Sequence, residues 1–137
     1  MRKLFVLGLV MMFALPLLAA CGGDDDSSSS SGTPKLSGKV TDKGSKTVSG
    51  DEIELEADDF YFEPTVIKAD GGAEIEVEIE NEGDATHNFS VDDQGIDTDV
   101  EAGSSAEVTV TVPDSGELVF YCKFHKSQGM AGEFEAA

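Results

Sequence analysis

The chain has few basic residues. Its 137 residues include nine Lys and Arg against 28 Asp and Glu, and the formal net charge is −19. Residues 51–137 contain 24 of the acids and three bases, Lys68, Lys123 and Lys126. Nucleic acid is disfavoured as a partner, because binding to it depends on basic contacts to phosphate. The acidity serves either solubility and adaptation to high salt, or docking to a basic partner.

Hydrophobic runs long enough to cross a membrane are also missing. The apolar run Leu4 to Leu18 has about 15 residues, which is too short to span a bilayer comfortably. It follows two basic residues, Arg2 and Lys3. This pattern is typical of a secretory leader. The sequence therefore predicts a signal peptide over residues 1–20 and an extracytoplasmic location.

The leader ends with Leu18-Ala19-Ala20-Cys21, which resembles the lipobox of bacterial lipoproteins. The resemblance implies cleavage before Cys21 and acylation of its thiol and new amino terminus. Several acyl chains would anchor the protein to the membrane. The alternative is an ordinary cleavage site followed by a chance cysteine. The low-complexity tract that begins immediately afterwards favours the lipoprotein.

The segment after Cys21 is rich in Gly, Ser, Asp and Lys and has only scattered aliphatic residues. Such a composition offers nothing to bury. We therefore expect residues 21–50 to be the lipidated cysteine and a flexible tether. The remaining residues, 51–137, form the predicted domain.

No helical period is convincing in residues 51–137. Apolar and polar residues alternate instead, most clearly in residues 74–80, where Ile75, Val77 and Ile79 alternate with glutamates. A period of two is typical of a strand with one buried face. Similar segments recur between turn signals, including a short one near residues 96–100. The predicted fold is all-β, a Greek-key β-sandwich of seven or eight strands.

Soft metal donors are scarce, and most of them lie in one stretch. Cys122, His125 and Met130 have the spacing Cys-x2-His-x4-Met, and His87 supplies a second imidazole where another predicted strand lies. If Cys21 is acylated, Cys122 is a lone thiol in an oxidising compartment. Two His, one Cys and a weak axial Met are the donor set of a blue-copper centre. A zinc site with a carboxylate as fourth ligand leaves Met130 unexplained.

Each donor also has an ordinary interpretation. Cys122 could be buried simply as a small hydrophobic residue, and Met130 could fill the core. Either histidine could make a structural hydrogen bond or lie on the surface. Without the leader and Cys21, however, the chain has two His, one Cys and one Met. Every soft donor of the mature domain is then used once, which favours a metal site.

Residues 51–137 resemble a cupredoxin, and the Cys-x2-His-x4-Met loop is similar to that of plastocyanin. Tyr121 before the Cys, Asn88 after the first His and the strand containing Gly132 match the same pattern. The resemblance implies an eight-stranded sandwich with one type 1 copper at one pole. Plastocyanins commonly have Pro where this chain has Phe124, which alters the loop and the surface beside it.

The resemblance also implies a role for each residue of the site. His87 is the more buried ligand, His125 the ligand near the surface, Cys122 the short strong ligand and Met130 the long axial one. Asn88 ties the two ligand-bearing loops together. Around this centre, Phe124 supplies part of an apolar patch. Lys123 and Lys126 lie in the same loop, so we expect the copper pole to be the least acidic part of the surface.

The predicted function is that of a membrane-tethered, monomeric carrier of single electrons, with a cytochrome, oxidase or reductase as partner. An enzyme is disfavoured, because copper oxidases, nitrite reductases and Ser–His–Asp hydrolases need imidazoles beyond the two assigned here. The alternative function is copper binding, delivery or storage. A metal-free, adhesion-like sandwich is a third hypothesis.

Overall fold

A computed structural model of the protein describes residues 38–137. The predicted signal peptide, Cys21 and the first part of the predicted tether lie outside the described residues. The described part of the chain contains the strands β1 (Ser45–Thr47), β2 (Glu52–Asp58), β3 (Tyr61–Glu63), β4 (Val66–Ala69), β5 (Glu74–Asn81), β6 (His87–Val91), β7 (Ile96–Val100), β8 (Ser105–Thr111), β9 (Glu117–Tyr121) and β10 (Ala131–Ala136). Two short 3-10 turns, Asp92–Gln94 and Lys126–Gln128, interrupt the loops.

The strands form two sheets that enclose one core. The larger sheet has the order β1-β4-β10-β9-β6-β7, and the smaller has the order β3-β2-β5-β8. β4 pairs in parallel with β1 and β10, and β2 pairs in parallel with β5, while the remaining pairs are antiparallel. The predicted all-β sandwich is confirmed. The ten strands exceed the predicted seven or eight because β1 and the three-residue β3 were not expected as separate strands.

The smaller sheet follows the alternation in its sequence. In β5, Ile75, Val77 and Ile79 are buried, while Glu74 and Glu76 are exposed. Phe62, on β3 of the same sheet, packs its ring against Phe89 and Phe120 of the larger sheet, and Phe120 also contacts Phe89 and Phe134. These contacts fix the two sheets relative to each other and make a rigid base for the loops at the pole.

The outer side of the smaller sheet carries a regular array of glutamates, which we call the acidic face. The register places Glu52 beside Glu76, Glu54 beside Glu78, and Glu56 beside Glu80. Glu107 on β8 extends the array beyond Glu78. Directly opposite residues on neighbouring strands lie within about 5.5 Å at their Cβ atoms, so these carboxylates repel one another.

The predicted tether over residues 21–50 needs correction at its C-terminal end. β1 pairs with β4, and Val48 N–H donates to the Lys68 carbonyl at 2.8 Å. Gly44 O accepts hydrogen bonds from the N–H groups of both Thr65 and Val66 at 3.0 Å. All three β1 side chains are exposed and the strand itself is held by backbone hydrogen bonds, so its composition gave no sign of a strand. We call residues 41–48 the strap.

Among residues 38–137, no helix is long and apolar enough to cross a membrane.

Candidate metal centre

The strand order brings three of the four predicted ligands, His87, Cys122 and His125, together at one pole of the sandwich. β6 and β9 are antiparallel neighbours, with Ser90 opposite Tyr121. Because the two strands run antiparallel, the start of β6 lies beside the residues that follow β9. His87 is the first residue of β6, and Cys122 directly follows β9. The loop from Cys122 to β10 carries His125 and Met130 across the same pole.

Three donor atoms converge there. The Nδ1 atoms of His87 and His125 are 3.1 Å apart, and Cys122 Sγ is 3.5 Å from His125 Nδ1. All three donor atoms lie within 4.8 Å of one another. Two ligands at about 2 Å from one ion, at a tetrahedral angle, are separated by roughly 3.3 Å. The donor set and its spacing therefore fit a single metal ion held by two imidazoles and a thiolate.

The site is shielded from water on the inner side. His87 and Cys122 are fully buried, while His125 is only partly buried and faces the surface. Burial is the main reason that the pKa of His87 is lowered, and the neighbouring His125 adds to the effect. A neutral imidazole is the form that can bind a metal. The buried histidine is thus ready to coordinate without first losing a proton.

Met130 lies at the base of the loop. It is fully buried, its N–H donates to the His125 carbonyl at 3.3 Å, and its carbonyl accepts from Cys122 N–H at 3.0 Å. The His125 N–H in turn donates to the Cys122 carbonyl at 3.1 Å. The backbones of the three loop donors are therefore hydrogen-bonded to one another. This arrangement limits how far the donors can move independently.

Asn88 links three pieces of chain around the centre. Its Nδ2 donates to the side chains of Asp97 and Asp99 on β7 at 2.7 and 2.8 Å. Its Oδ1 accepts from the backbone N–H of Lys123 at 3.3 Å. The residue after the first histidine is thereby tied to the residue after the cysteine. This is the link between ligand-bearing loops that the sequence resemblance implied.

Lys123 adds an ionic contact to the same region. Its Nζ lies 2.7 Å from carboxylate oxygens of both Asp97 and Asp99. Hydrogen bonds to these carboxylates raise the pKa of Lys123, and the lysine in turn lowers the pKa of both aspartates. The charge of Lys123 is therefore compensated by β7. Of the two loop lysines, Lys126 contributes more of the positive charge expected at this pole.

Two other predicted residues sit at the edge of the site. The Tyr121 hydroxyl donates to Asp92 at 2.6 Å, and Lys126 Nζ lies 3.8 Å from the centre of the Tyr121 ring. Phe124 is 48% exposed, and its ring centroid lies 6.3 Å from that of His125. Phe124 thus provides apolar surface beside the exposed ligand, whereas Tyr121 braces the loop from outside.

The sequence did not reveal the turn between β2 and β3 as part of the site. Asp59 Oδ1 lies 3.2 Å from His87 Nε2, and the Phe60 ring contacts His125 with centroids 4.7 Å apart. Asp59 is one of 28 acidic residues and is 28 positions from His87, so nothing in the sequence distinguished it. The β2–β3 register brings this turn to the pole.

The fold and the cluster together define a β-sandwich protein whose two histidines and one cysteine at one pole could hold a metal ion. A family model, the cupredoxin-like domain, matches residues 36–133. The chain therefore belongs to the cupredoxin-like family. The comparison with curated protein sequences gives no match.

Solved structures with the same fold include copper proteins. Reduced auracyanin from the photosynthetic bacterium Roseiflexus castenholzii is 21% identical, with a TM-score of 0.55 over 66% of this chain and 99% of that one. The metal binding domain of the Cu(I)-exporting P-type ATPase CopA from Streptococcus pneumoniae is 14% identical, with a TM-score of 0.57 over 69% and 97%. Auracyanin A from Chloroflexus aurantiacus, described as a "blue" copper protein, is 16% identical, with a TM-score of 0.51 over 67% and 100%. These likenesses establish the fold.

Proposed function

We propose that the protein binds one type 1 copper ion and carries single electrons between redox proteins outside the cytoplasm. The observation that supports this most directly is the buried thiol of Cys122 with two imidazole Nδ1 atoms within 4.8 Å. Sulfur and nitrogen donors in this combination suit an ion that cycles between Cu(I) and Cu(II). His87, Cys122 and His125 would hold the ion, and Met130 would supply a weak fourth ligand.

The chain contributes rigidity, exclusion of water and an exit for the electron. Electron transfer is fast when ligands move little between oxidation states, and a packed β-sandwich holds them in one arrangement. The domain accepts one electron from a reduced partner and passes one to an oxidised partner, and no bond within the chain forms or breaks. His125 is the partly exposed donor, so the electron enters and leaves beside Phe124.

Copper titration of the purified protein tests the centre. We expect one Cu(II) per chain and an intense blue absorption band. The band disappears when one electron is added and returns when that electron is removed. Cys122→Ser abolishes the band, because the thiolate is its source. The matched control is Cys21→Ser, which changes the other cysteine and leaves the band intact. A colourless wild-type protein with bound Cu(II) contradicts the proposal.

Copper delivery is the second candidate, and the fold shared with the CopA metal binding domain, determined with Cu(I), favours it. A delivery protein releases its ion readily, whereas an electron carrier retains it through many redox cycles. Loss of Cu(I) to a chelator within seconds, without a reversible one-electron wave, favours delivery. Slow loss with a reversible wave favours the carrier.

We further propose that Cys21 is acylated and tethers the domain to the outer side of a membrane. The strap enters the domain next to the metal loop, because Thr41 N–H donates to the Gly129 carbonyl at 3.0 Å. Sixteen residues lie between Cys21 and Gly38, the first residue described, and this stretch spans at most about 60 Å. The metal loop thus stays within reach of a membrane-bound partner. Membrane fractionation tests this: Cys21→Ser moves the protein to the soluble fraction.

The partner surface combines the lysines of the metal pole with apolar contact. Lys39, Phe124 and Lys126 line one cavity of about 510 Å³ at this pole. We propose that a monomer docks through this region to a cytochrome, oxidase or reductase. The acidic face steers a basic region of the same partner, which predicts that the association rate falls as ionic strength rises. A rate independent of salt contradicts steering.

A further inference from the structure

The turn between β2 and β3 contacts both histidine ligands. Asp59 reaches His87, and the next residue, Phe60, packs against the ring of His125. His87 presents Nδ1 to the other donors, at 3.1 Å from His125 Nδ1, so Nε2 is its outer nitrogen. Asp59 Oδ1 lies 3.2 Å from that outer nitrogen. The carboxylate therefore stands behind the ligand, on the side away from the donor cluster.

This position determines which tautomer of His87 is favoured. A neutral imidazole has one N–H, and a metal bound at Nδ1 requires the proton on Nε2. An ionised carboxylate accepts a hydrogen bond from this N–H and has no proton of its own to donate. We propose that Asp59 is a positioning residue of the metal centre, accepting the hydrogen bond from His87 Nε2–H and holding Nδ1 free for copper. The inference rests on the proposed function, since it assigns a role at the same centre.

The surroundings leave room for this contact. A Cβ atom on Gly83 would lie 2.5 Å from Asp59 Oδ1 and 2.8 Å from His87 Nε2. Glycine at this position therefore permits the close approach of carboxylate and imidazole. Gly83 itself is held in place, because its N–H donates to Asn81 Oδ1 at 3.0 Å.

The turn that carries Asp59 is itself braced. The Asp59 N–H donates to Asp58 Oδ1 at 2.7 Å, and the Tyr61 hydroxyl donates to Asp58 Oδ2 at 2.7 Å. On the other side, Asp84 N–H lies 3.4 Å from Asp59 Oδ2. A surface carboxylate without such supports would gain little from a single contact, because its side chain would sample other rotamers. Here the backbone and both carboxylate oxygens of Asp59 have hydrogen-bond partners.

Two variants of the full chain test the role. Asp59→Leu removes the acceptor, and Asp59→Asn keeps an acceptor oxygen without the charge. Hydrogen-bond partners behind a metal ligand change affinity by about 10- to 100-fold. We expect the dissociation constant for Cu(I) to rise by about that factor in Asp59→Leu and by less in Asp59→Asn, with a shifted blue band in the Cu(II) forms. Asp70→Asn, in the turn before β5, is the matched control and leaves both unchanged.

A second readout needs no copper. Nitrogen chemical shifts of His87 in the metal-free protein report which ring nitrogen carries the proton. We expect the Nε2–H tautomer in the wild type and a mixture in Asp59→Leu. Gly83→Ala, which pushes the two groups apart, gives the same mixture if the Leu variant does not fold. Unchanged tautomer and unchanged affinity in the folded variants overturn the inference. A wild type that binds no copper instead overturns the proposed function and leaves the tautomer measurement valid.

Discussion

At the scale of single residues, the candidate metal ligands could be singled out from the sequence, whereas Asp59 behind His87 could not. His87, Cys122, His125 and Met130 stood out because soft donors are scarce in this chain and three of them share one short loop. Asp59 could not be singled out in the same way, since acidic residues are abundant. A carboxylate becomes part of a site through its position in space, and that position depends on the β2–β3 turn.

Tyr61 offers a residue-scale prediction. Its hydrogen bond to Asp58 raises the pKa of Tyr61 to about 12. The protonated phenol is thus favoured in the folded state, and this stabilisation is present below the ordinary pKa of about 10 and lost as the pH rises through 12. Ultraviolet titration of tyrosinate checks this: Asp58→Asn brings the pKa of Tyr61 towards its ordinary value. Tyr121 serves as the internal reference, and equal titration of Tyr61 in both proteins contradicts the prediction.

The ion pairs of Lys123 with Asp97 and Asp99 give a second residue-scale prediction. Their contribution to stability is limited at low pH by the aspartates and at high pH by the lysine. Lys123 and Asn88 lower the pKa of Asp97 and Asp99, so the stabilisation is present above the ordinary aspartate pKa and lost as the pH falls through the lowered values. Because the pKa of Lys123 is raised, the stabilisation by the ion pairs is fully present below the ordinary lysine pKa and is lost as the pH rises through the raised pKa. We expect Lys123→Met to have a lower Tm than wild type at pH 7. The difference in Tm between the two proteins shrinks as the pH falls through the lowered aspartate pKa values, and a difference that stays constant in acid argues against the ion pairs.

At the scale of elements, the buried strands were the most predictable. β5 alternates strictly between glutamates and branched aliphatic residues, and burial follows that alternation. β1 was missed because its three residues bury nothing and contribute only backbone hydrogen bonds. Periodicity reports which side of a strand meets the core, so it carries no information about an exposed edge strand.

The strap gives a prediction at this scale. Thr41→Pro removes the N–H that donates to the Gly129 carbonyl at 3.0 Å, one residue before Met130. We expect the free energy of unfolding to fall by about 1 kcal/mol, the usual contribution of one such hydrogen bond. Thr41→Val keeps the N–H and is the control, with a change within about 0.5 kcal/mol. Denaturant unfolding followed by circular dichroism measures both, and equal stability of the two variants refutes a role for the bond.

At the scale of the whole molecule, the acidic face opposes folding. Repulsion from Glu54 is the main reason that the pKa of Glu80 is raised, and desolvation and the other nearby glutamates add to the effect. Deprotonated Glu80 is therefore less favourable in the folded state, and the repulsion is relieved as the pH falls through the raised pKa. The fold class was predictable despite this conflict, because alternation concerns burial while the charge pattern concerns only the solvated side.

Screening of the acidic face is the whole-molecule prediction. Salt shields exposed charges over about 10 Å at 0.1 M, so we expect the Tm of the wild type to rise with ionic strength. Glu54→Lys, which faces Glu78 across the sheet, raises the Tm in low salt and loses its advantage in high salt. Glu54→Gln, with no positive charge, gives an intermediate result. A Tm that falls as salt is added runs against this expectation.

Because the acidic face and the lysines Lys39 and Lys126 lie on different parts of the surface, the charge of the molecule is unevenly distributed. A body of this kind has a permanent dipole moment, and a charged surface exerts a torque on it before contact. Collisions would then begin from a narrow range of orientations, so productive encounters become frequent without any need for tight association. Short-lived complexes of this kind allow many electron transfers per second, because weak binding lets the two proteins dissociate quickly.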